Sequence, residues 1–197
     1  MGAGRPLTYD SDTVLDAAMR LFWQTGYEAT SLHELLAAMN LSRSSFYHGF
    51  GSKHALFVRC LERYQEQTAD YLWDRLESAS SGHTFIVDTL TWAIEEAFAG
   101  ADPRGCLVMN TATELAQRDP VIAAEVARGL RTFHSIFAAG VARGQAEGSI
   151  REDRHADVLA SYLVTTMGGL RTMVKAGTDH STLTVLVGLA MDGLHTD

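Results

Sequence analysis

The chain is poor in cysteine, proline and lysine, and no long apolar run occurs in its 197 residues. Two cysteines, Cys60 and Cys106, are no disulfide framework, and both are expected as free thiols. No stretch reaches the roughly 18 uninterrupted apolar residues of a membrane span. The nearest, Leu183 to Leu194, is broken by Thr184, Gly188, Asp192 and Gly193. Met1–Asp10 lacks the apolar centre of a secretory signal, so a cytoplasmic protein with no membrane partner is expected. The eight histidines form no His-x-x-x-His pair and there is no Cys-x-x-Cys, which leaves a metal site without support. Gly-x-Ser-x-Gly, a Walker-type loop and a dinucleotide fingerprint are also missing. No cofactor is expected, and no nucleophile with its base points to an enzyme.

Charge of positive sign is scarce as well. The net charge is −8, which by itself argues against nucleic acid. Its distribution matters more. In residues 1–60 Arg5, Arg20, Arg43, Lys53 and Arg59 balance Asp10, Asp12, Asp16, Glu28 and Glu34, so the whole surplus falls in residues 61–197. DNA contact in the first third would then depend on a few placed cations and on backbone N–H groups.

What is abundant is apolar spacing of three and four residues, while strand-like alternation is rare. With prolines only at 6, 103 and 120, the fold is expected to be all-α. A first helix spans about Ser11–Thr25 with Val14, Ala18, Leu21 and Phe22 inward, and Gly26 follows as its stop. Ser31-Leu-His-Glu34 is a capping box that opens a second helix through Leu32, Leu35, Leu36 and Met39. Asn40 suits the left-handed stop after it. Ser42 caps a third helix with Phe46 and Phe50 inward. Ser52 caps a long fourth through Phe57, Leu61, Tyr64, Thr68, Leu72 and Leu76. After Ser80-Ser-Gly82, helices are expected over 83–98, 104–117, 120–145, 153–175 and 181–194, with Pro120 at a first helical position.

Helix, left-handed stop, short turn and helix between Ser31 and Phe50 form a helix-turn-helix. The second helix of such a unit enters the major groove by its N-terminal residues. That places Arg43, Ser44 and Ser45 toward base edges, and Tyr47, His48 and Lys53 toward phosphates. The helix starts near Thr30-Ser31 and Ser52-Lys53 offer N–H groups to phosphates. Arg43 is suited to a bidentate contact with guanine.

Read together, Ala17-Ala18, Leu21-Phe22, Gly26-Tyr27, Thr30-Ser31, Leu41-Ser42-Arg43, Phe46-Tyr47 and Phe50-Gly-Ser-Lys53 resemble the N-terminal domain of TetR-family regulators. Gly4-Arg5-Pro6 is similar to the arm of many members, which can reach a minor groove. Asn40 stands where the family usually has Gly, and Gly49 where it often has a phosphate-touching His or aromatic. The resemblance implies a three-helix DNA-binding domain, a long connecting helix, an inducer pocket and a dimer through the last two helices. The division is expected as 1–52 for the arm and reading domain and 53–197 for the effector-binding and dimerisation domain.

In the second half, expected pocket walls are Phe85, Trp92, Met109, Phe133, Phe137, Tyr162 and Met167, with Asn110, Thr113 and His134 as polar handles. Gly168-Gly169 inside a helix weakens it unless something packs closely. A homodimer is therefore expected through Leu163, Gly168, Leu170, Leu183, Leu186 and Leu189. Cys106, after Pro103 and beside Arg104, stands near a helix start that favours thiolate, and Lys175 is the one lysine besides Lys53. The expected function is a repressor of double-stranded operator DNA, released by a small hydrophobic effector. The alternatives are a redox or electrophile sensor acting through Cys106, and a helical binding protein with no DNA role.

Overall fold

Asp10 opens the first helix. Its carboxylate accepts from the Asp12 and Thr13 N–H groups, each at 3.3 Å, using donors that have no partner inside the helix. The computed structural model describes residues 10–99 and 103–195. The arm at Gly4-Arg5-Pro6 therefore lies outside the described residues. Among those described there are nine α-helices and no strand. They divide into two compact units between Tyr64 and Gln65.

The first unit holds α1 (Ser11–Thr25), α2 (Leu32–Met39), α3 (Arg43–Phe50) and the first part of α4 (Lys53–Ser78). The Ser31 box forms as expected: the Glu34 N–H donates to Ser31 Oγ at 3.2 Å and the Ser31 N–H to Glu34 Oε2 at 2.8 Å. Asn40 ends α2 at φ 50°, ψ 44°, and the Leu41 N–H then donates back to the Leu36 carbonyl at 3.0 Å. The chain thus leaves α2 and enters α3 within Asn40–Ser42. Phe22, Leu35, Phe46, Leu56 and Leu61 are fully buried between these helices, with Phe22 edge-on to Phe57 at 4.9 Å. Arg63 of α4 forks onto Asp16 of α1 and reaches Asp12 at 3.3 Å. Leu21, expected inward, is only half-buried, and Trp23 and Met19 take that place.

The second unit holds the rest of α4, α5 (Gly82–Phe98), α6 (Leu107–Glu114), α7 (Pro120–Ala146), α8 (Ala156–Lys175) and α9 (His180–Asp192). α7 is its axis, flanked by α5, α6 and α8, while α9 packs on α5 and α8. The approach of α5 to α7 is backbone-close. A Cβ on Gly82 would stand 2.3 Å from both the Gly140 oxygen and the Gly144 nitrogen, and one on Gly140 would stand 2.5 Å from Phe85 Cδ1. Arg143 ties the end of α4 down by donating to the carbonyls of Leu76 at 2.8 Å and Ala79 at 2.9 Å. Its partner Glu147 accepts from the Gly82 N–H at 2.8 Å, and that bond, then Arg143, holds the Glu147 carboxyl below its ordinary range.

Two helices begin later than their periodicity predicts. The sixth, expected from Arg104, starts at Leu107 because Gly105 takes φ 71°. The eighth, expected from Asp153, starts at Ala156. There the Arg151 guanidinium forks onto Asp153, and Gln145 Nε2 donates to the carbonyls of Arg151 and Arg154, both at 2.8 Å. These local bonds compete with a helical turn.

Candidate nucleic-acid interface and sensor interior

The leading end of α3 is bare. Arg43 and Ser44 are exposed, and Tyr47 is 49% exposed with its ring edge-on to buried Phe46 at 5.3 Å. His48 is exposed beside it. Ser45 is half-buried: its N–H donates to Ser42 Oγ at 3.1 Å, and the two hydroxyls pair at 2.9 Å. Phe46 and Phe50 anchor the opposite side of the helix in the core, so the reading face is set by apolar residues four apart. Between Leu35 and Leu61 there is no acid at all, while Arg43, Lys53 and Arg59 are present. This local surplus of cations sits on a chain whose total charge is negative.

Lys53 begins α4 with its Nζ 4.5 Å from the Tyr27 ring centroid. Arg59 lies 4.9 Å from the Phe50 ring and donates to the Gly49 carbonyl at 3.4 Å. Tyr27 and Arg59 were absent from the expected site. The signal for Tyr27 lay in the Gly26-Tyr27 pair, read only as part of a motif.

Thr30, expected near a helix start whose N–H groups hold a phosphate, is 1% exposed, and its hydroxyl donates to the Gly26 carbonyl at 2.5 Å, so its side chain staples the α1–α2 turn. Ser31 is exposed, but its N–H is taken by Glu34. The Ser31 hydroxyl, and then that N–H, hold the Glu34 carboxyl below its ordinary range. The start of α2 is thus largely satisfied from within.

In the second unit Phe85, Phe133, Phe137, Met167 and Cys106 are interior, at 4% exposure or less, with Phe85 and Phe137 in ring contact at 6.1 Å. Trp92 stacks on Tyr71 at 4.5 Å. Met109 lies under Gly168, where an added Cβ would meet its Cε at 3.2 Å. Asn110 Nδ2 donates to the Arg104 carbonyl at 2.9 Å. Three expected pocket residues lie elsewhere. Thr113 is exposed and bonds back to Asn110. His134 Nε2 meets the Asp157 carbonyl at 3.1 Å. Tyr162, 39% exposed, lies along a groove with Thr166, Gly169, Met173, Leu186 and Leu189. Cys106 is the N-cap of α6, yet burial leaves its thiol out of reach of a solution oxidant in this conformation.

The expected interface set also divides. Leu163, Leu170 and Leu183 are buried within the chain itself, and Gly168 is closed by Met109. Leu186 and Leu189 are exposed, at 38% and 59%, together with Val158, Tyr162, Met173 and Val185. The free apolar face of α8 and α9 is this second set. Periodicity named the right helices but not which flank their neighbours cover.

Sequence reasoning missed Arg171 altogether. It is 1% exposed, pairs with Glu96, and holds its Cζ 5.4 Å from the Trp92 ring. Its position, eight residues after Leu163 on the buried stripe of α8, was the available signal.

A helix-turn-helix with an anchored core, an exposed Arg43-Ser44 end and acid-free flanks defines a DNA-binding transcriptional regulator, not an enzyme. Comparison with known proteins agrees. Residues 14–60 match the model for bacterial regulatory proteins of the tetR family, and residues 85–187 the tetracyclin repressor-like C-terminal domain. The chain belongs to the TetR family. It is 30% identical over 195 residues to the HTH-type transcriptional repressor ComR of Escherichia coli K12, covering 95% of this chain and 90% of that protein. It is similar in structure to a cysteine mutant of the TetR-family regulator CifR complexed with 26-base-pair double-strand operator DNA. There the TM-score is 0.85 at 30% identity, over 98% of this chain and 100% of the other. The reduced form of E. coli NemR shares the fold, with TM-score 0.85 at 20% identity over 94% and 97%. Among the described residues no helix is long and apolar enough to cross a membrane.

Proposed function

We propose that two copies of this chain repress transcription from an operator and release it when a small molecule enters the second unit. The single observation that carries this reading is the exposed, cation-bearing end of α3 on an apolar anchor. Arg43, Ser44 and Ser45 face base edges, while Tyr47, His48 and Lys53 hold the domain to phosphates, with the arm and reading part at 1–52 and the effector and dimer part at 53–197. ComR and CifR support it, one named a repressor and the other bound to operator DNA. Two copies are supported by the uncovered face of Val158, Tyr162, Met173, Val185, Leu186 and Leu189. A monomer rarely leaves so many large apolar side chains together, and two half-sites need two reading helices.

The test is binding to DNA from upstream of the gene, with salt varied and stoichiometry measured. Tight, site-specific, salt-dependent binding by two protomers, weakened in Arg43→Ala, is expected. Weak, sequence-indifferent binding unaffected by that substitution overturns the reading.

A further inference from the structure

Among the described residues of the second unit, four polar side chains from four different helices are buried to 2% exposure or less, with Thr68 of α4 a little less so at 8%. Gln65 of α4 is 2% exposed, Thr89 of α5 0%, Thr111 of α6 1% and Arg171 of α8 1%. Several other helical threonines here spend their hydroxyls on their own backbone. Thr132 donates to Arg128 O at 3.2 Å, Thr165 to Ser161 O at 2.9 Å and Thr172 to Gly168 O at 2.8 Å. The buried hydroxyls of Thr89 and Thr111 make no hydrogen bond, and neither does Gln65 Oε1, although Gln65 Nε2 donates to the Glu125 carbonyl at 3.0 Å. Buried polar atoms without partners are destabilising and uncommon in native proteins, and a bound water or ligand is their usual resolution.

The Arg171 pair is uneven. Its side chain is 1% exposed, whereas that of Glu96 is 24% exposed and lies in the last turn of α5. The cation is thus dry, while Glu96 keeps part of its side chain in water although the Oε2 that faces Arg171 is buried. Stripping an anionic partner from a dry guanidinium is costly, so a group that displaces Glu96 does so most readily with a negative charge of its own. A carboxylate matches the guanidinium fork and repeats the chemistry of the group it replaces. Around the pair, Met167, Val174, Trp92 and Ala93 stand one turn away on α8 and α5 and give apolar surroundings.

We infer that the effector is a small carboxylate with an apolar or aromatic body, whose carboxylate displaces Glu96 from Arg171. The hydroxyls of Thr89 and Thr111 supply further donors from the same interior. The inference rests on the effector-released repressor reading, and deepens it by naming the ligand class and the exchange that accepts it.

The experiment uses the purified full-length protein with benzoate, phenylbutyrate and decanoate, each against its methyl ester. Thermal shift, tryptophan emission and operator release are read together. At least one acid should stabilise the wild type and release DNA at millimolar concentration, with its ester inert. Glu96→Gln removes the competing charge and should tighten binding of that acid about tenfold. Arg171→Met should weaken it about thirtyfold. A merely structural ion pair gives no gain in Glu96→Gln, and that variant decides the matter if Arg171→Met melts. Esters acting as well as acids, no response to any acid, or unchanged affinity in Glu96→Gln each overturn the inference. Wild-type operator binding without effector, measured in parallel, separates this failure from failure of the regulator reading.

Discussion

The Lys53 ammonium stands 4.5 Å from the centroid of the Tyr27 ring, and that ring packs on Phe57 at 4.9 Å. A lysine at a helix start opposes the helix dipole, and here an aromatic face from the α1–α2 loop offsets that. The ring also limits the lysine's freedom, so the charge waits in place for an anion. Replacing Lys53 by Met keeps the apolar stem and removes the charge. Operator affinity should fall by a similar factor for every sequence, and the slope of log affinity against log salt should shrink by about 1 per protomer, or about 2 for the bound dimer. An unchanged slope means that Lys53 touches no phosphate.

Arg43→Ala should behave differently. The loss is expected at about 1–3 kcal/mol per half-site on the preferred operator, with relaxed preference at one base position in each half-site. Competition between single-base operator variants reads this directly. Equal losses on all variants would make Arg43 a phosphate contact.

Asn40 holds φ 50°, the one positive value on a non-glycine residue among those described. Asn40→Gly should leave the melting temperature unchanged or raise it slightly, since glycine adopts this conformation freely. Asn40→Val, branched at Cβ, should destabilise by about 1–2 kcal/mol or more. Chemical denaturation of the pair gives the comparison, and equal stabilities would remove the left-handed stop as a determinant.

At Gly82 a methyl group meets backbone, 2.3 Å from Gly140 O and Gly144 N, so no side-chain rotation relieves it. Gly82→Ala should therefore destabilise by about 1–3 kcal/mol or more. At Gly188 nothing lies within 4 Å, and Gly188→Ala in the interior of α9 should stabilise by up to about 1 kcal/mol. Opposite signs in thermal melts are the expected result.

Burial, and then the neighbouring His195, depress the His83 imidazole below its ordinary value. The unfolded chain therefore binds more protons, and the stability contributed by neutral His83 is complete above about pH 6.5 and is lost as pH falls through its folded pKa. The capping carboxyls of Asp10, Glu34 and Asp179 are also depressed; their contribution is lost only at more acid pH. Melting temperature should decline in two stages on acidification, and His83→Gln should abolish the first. A profile identical to wild type would sink this assignment.

How much was legible before the structure follows from the range of each interaction. The capping box, the Asn40 stop and the apolar stripes of α1 to α4 are set by residues within one or two turns of each other, so spacing reveals them. The helix starts at Leu107 and Ala156 were misjudged because a glycine conformation and an Arg151–Asp153 turn override periodicity locally. The burial of Thr30 is not legible in spacing, because its hydroxyl answers to Gly26 across a turn. Leu163, Leu183 and Gly168 are covered within the chain itself, and spacing does not reveal this because a stripe shows that a flank is apolar, not what covers it.

The sequence by itself determined an all-α chain, a helix-turn-helix with Arg43 and Ser44 at its leading end, and a second helical part with a surplus of apolar positions. Those depend on local periodicity, capping and the placement of a few charges. Only the tertiary structure decided that Arg171 and Glu96 meet, that Gly82 lies on the backbone of α7, and that Leu186 and Leu189 stay exposed while Leu183 does not. These are contacts between residues 75, 58 and more positions apart or choices between two apolar flanks, and they are fixed by how whole helices pack, which no local pattern encodes.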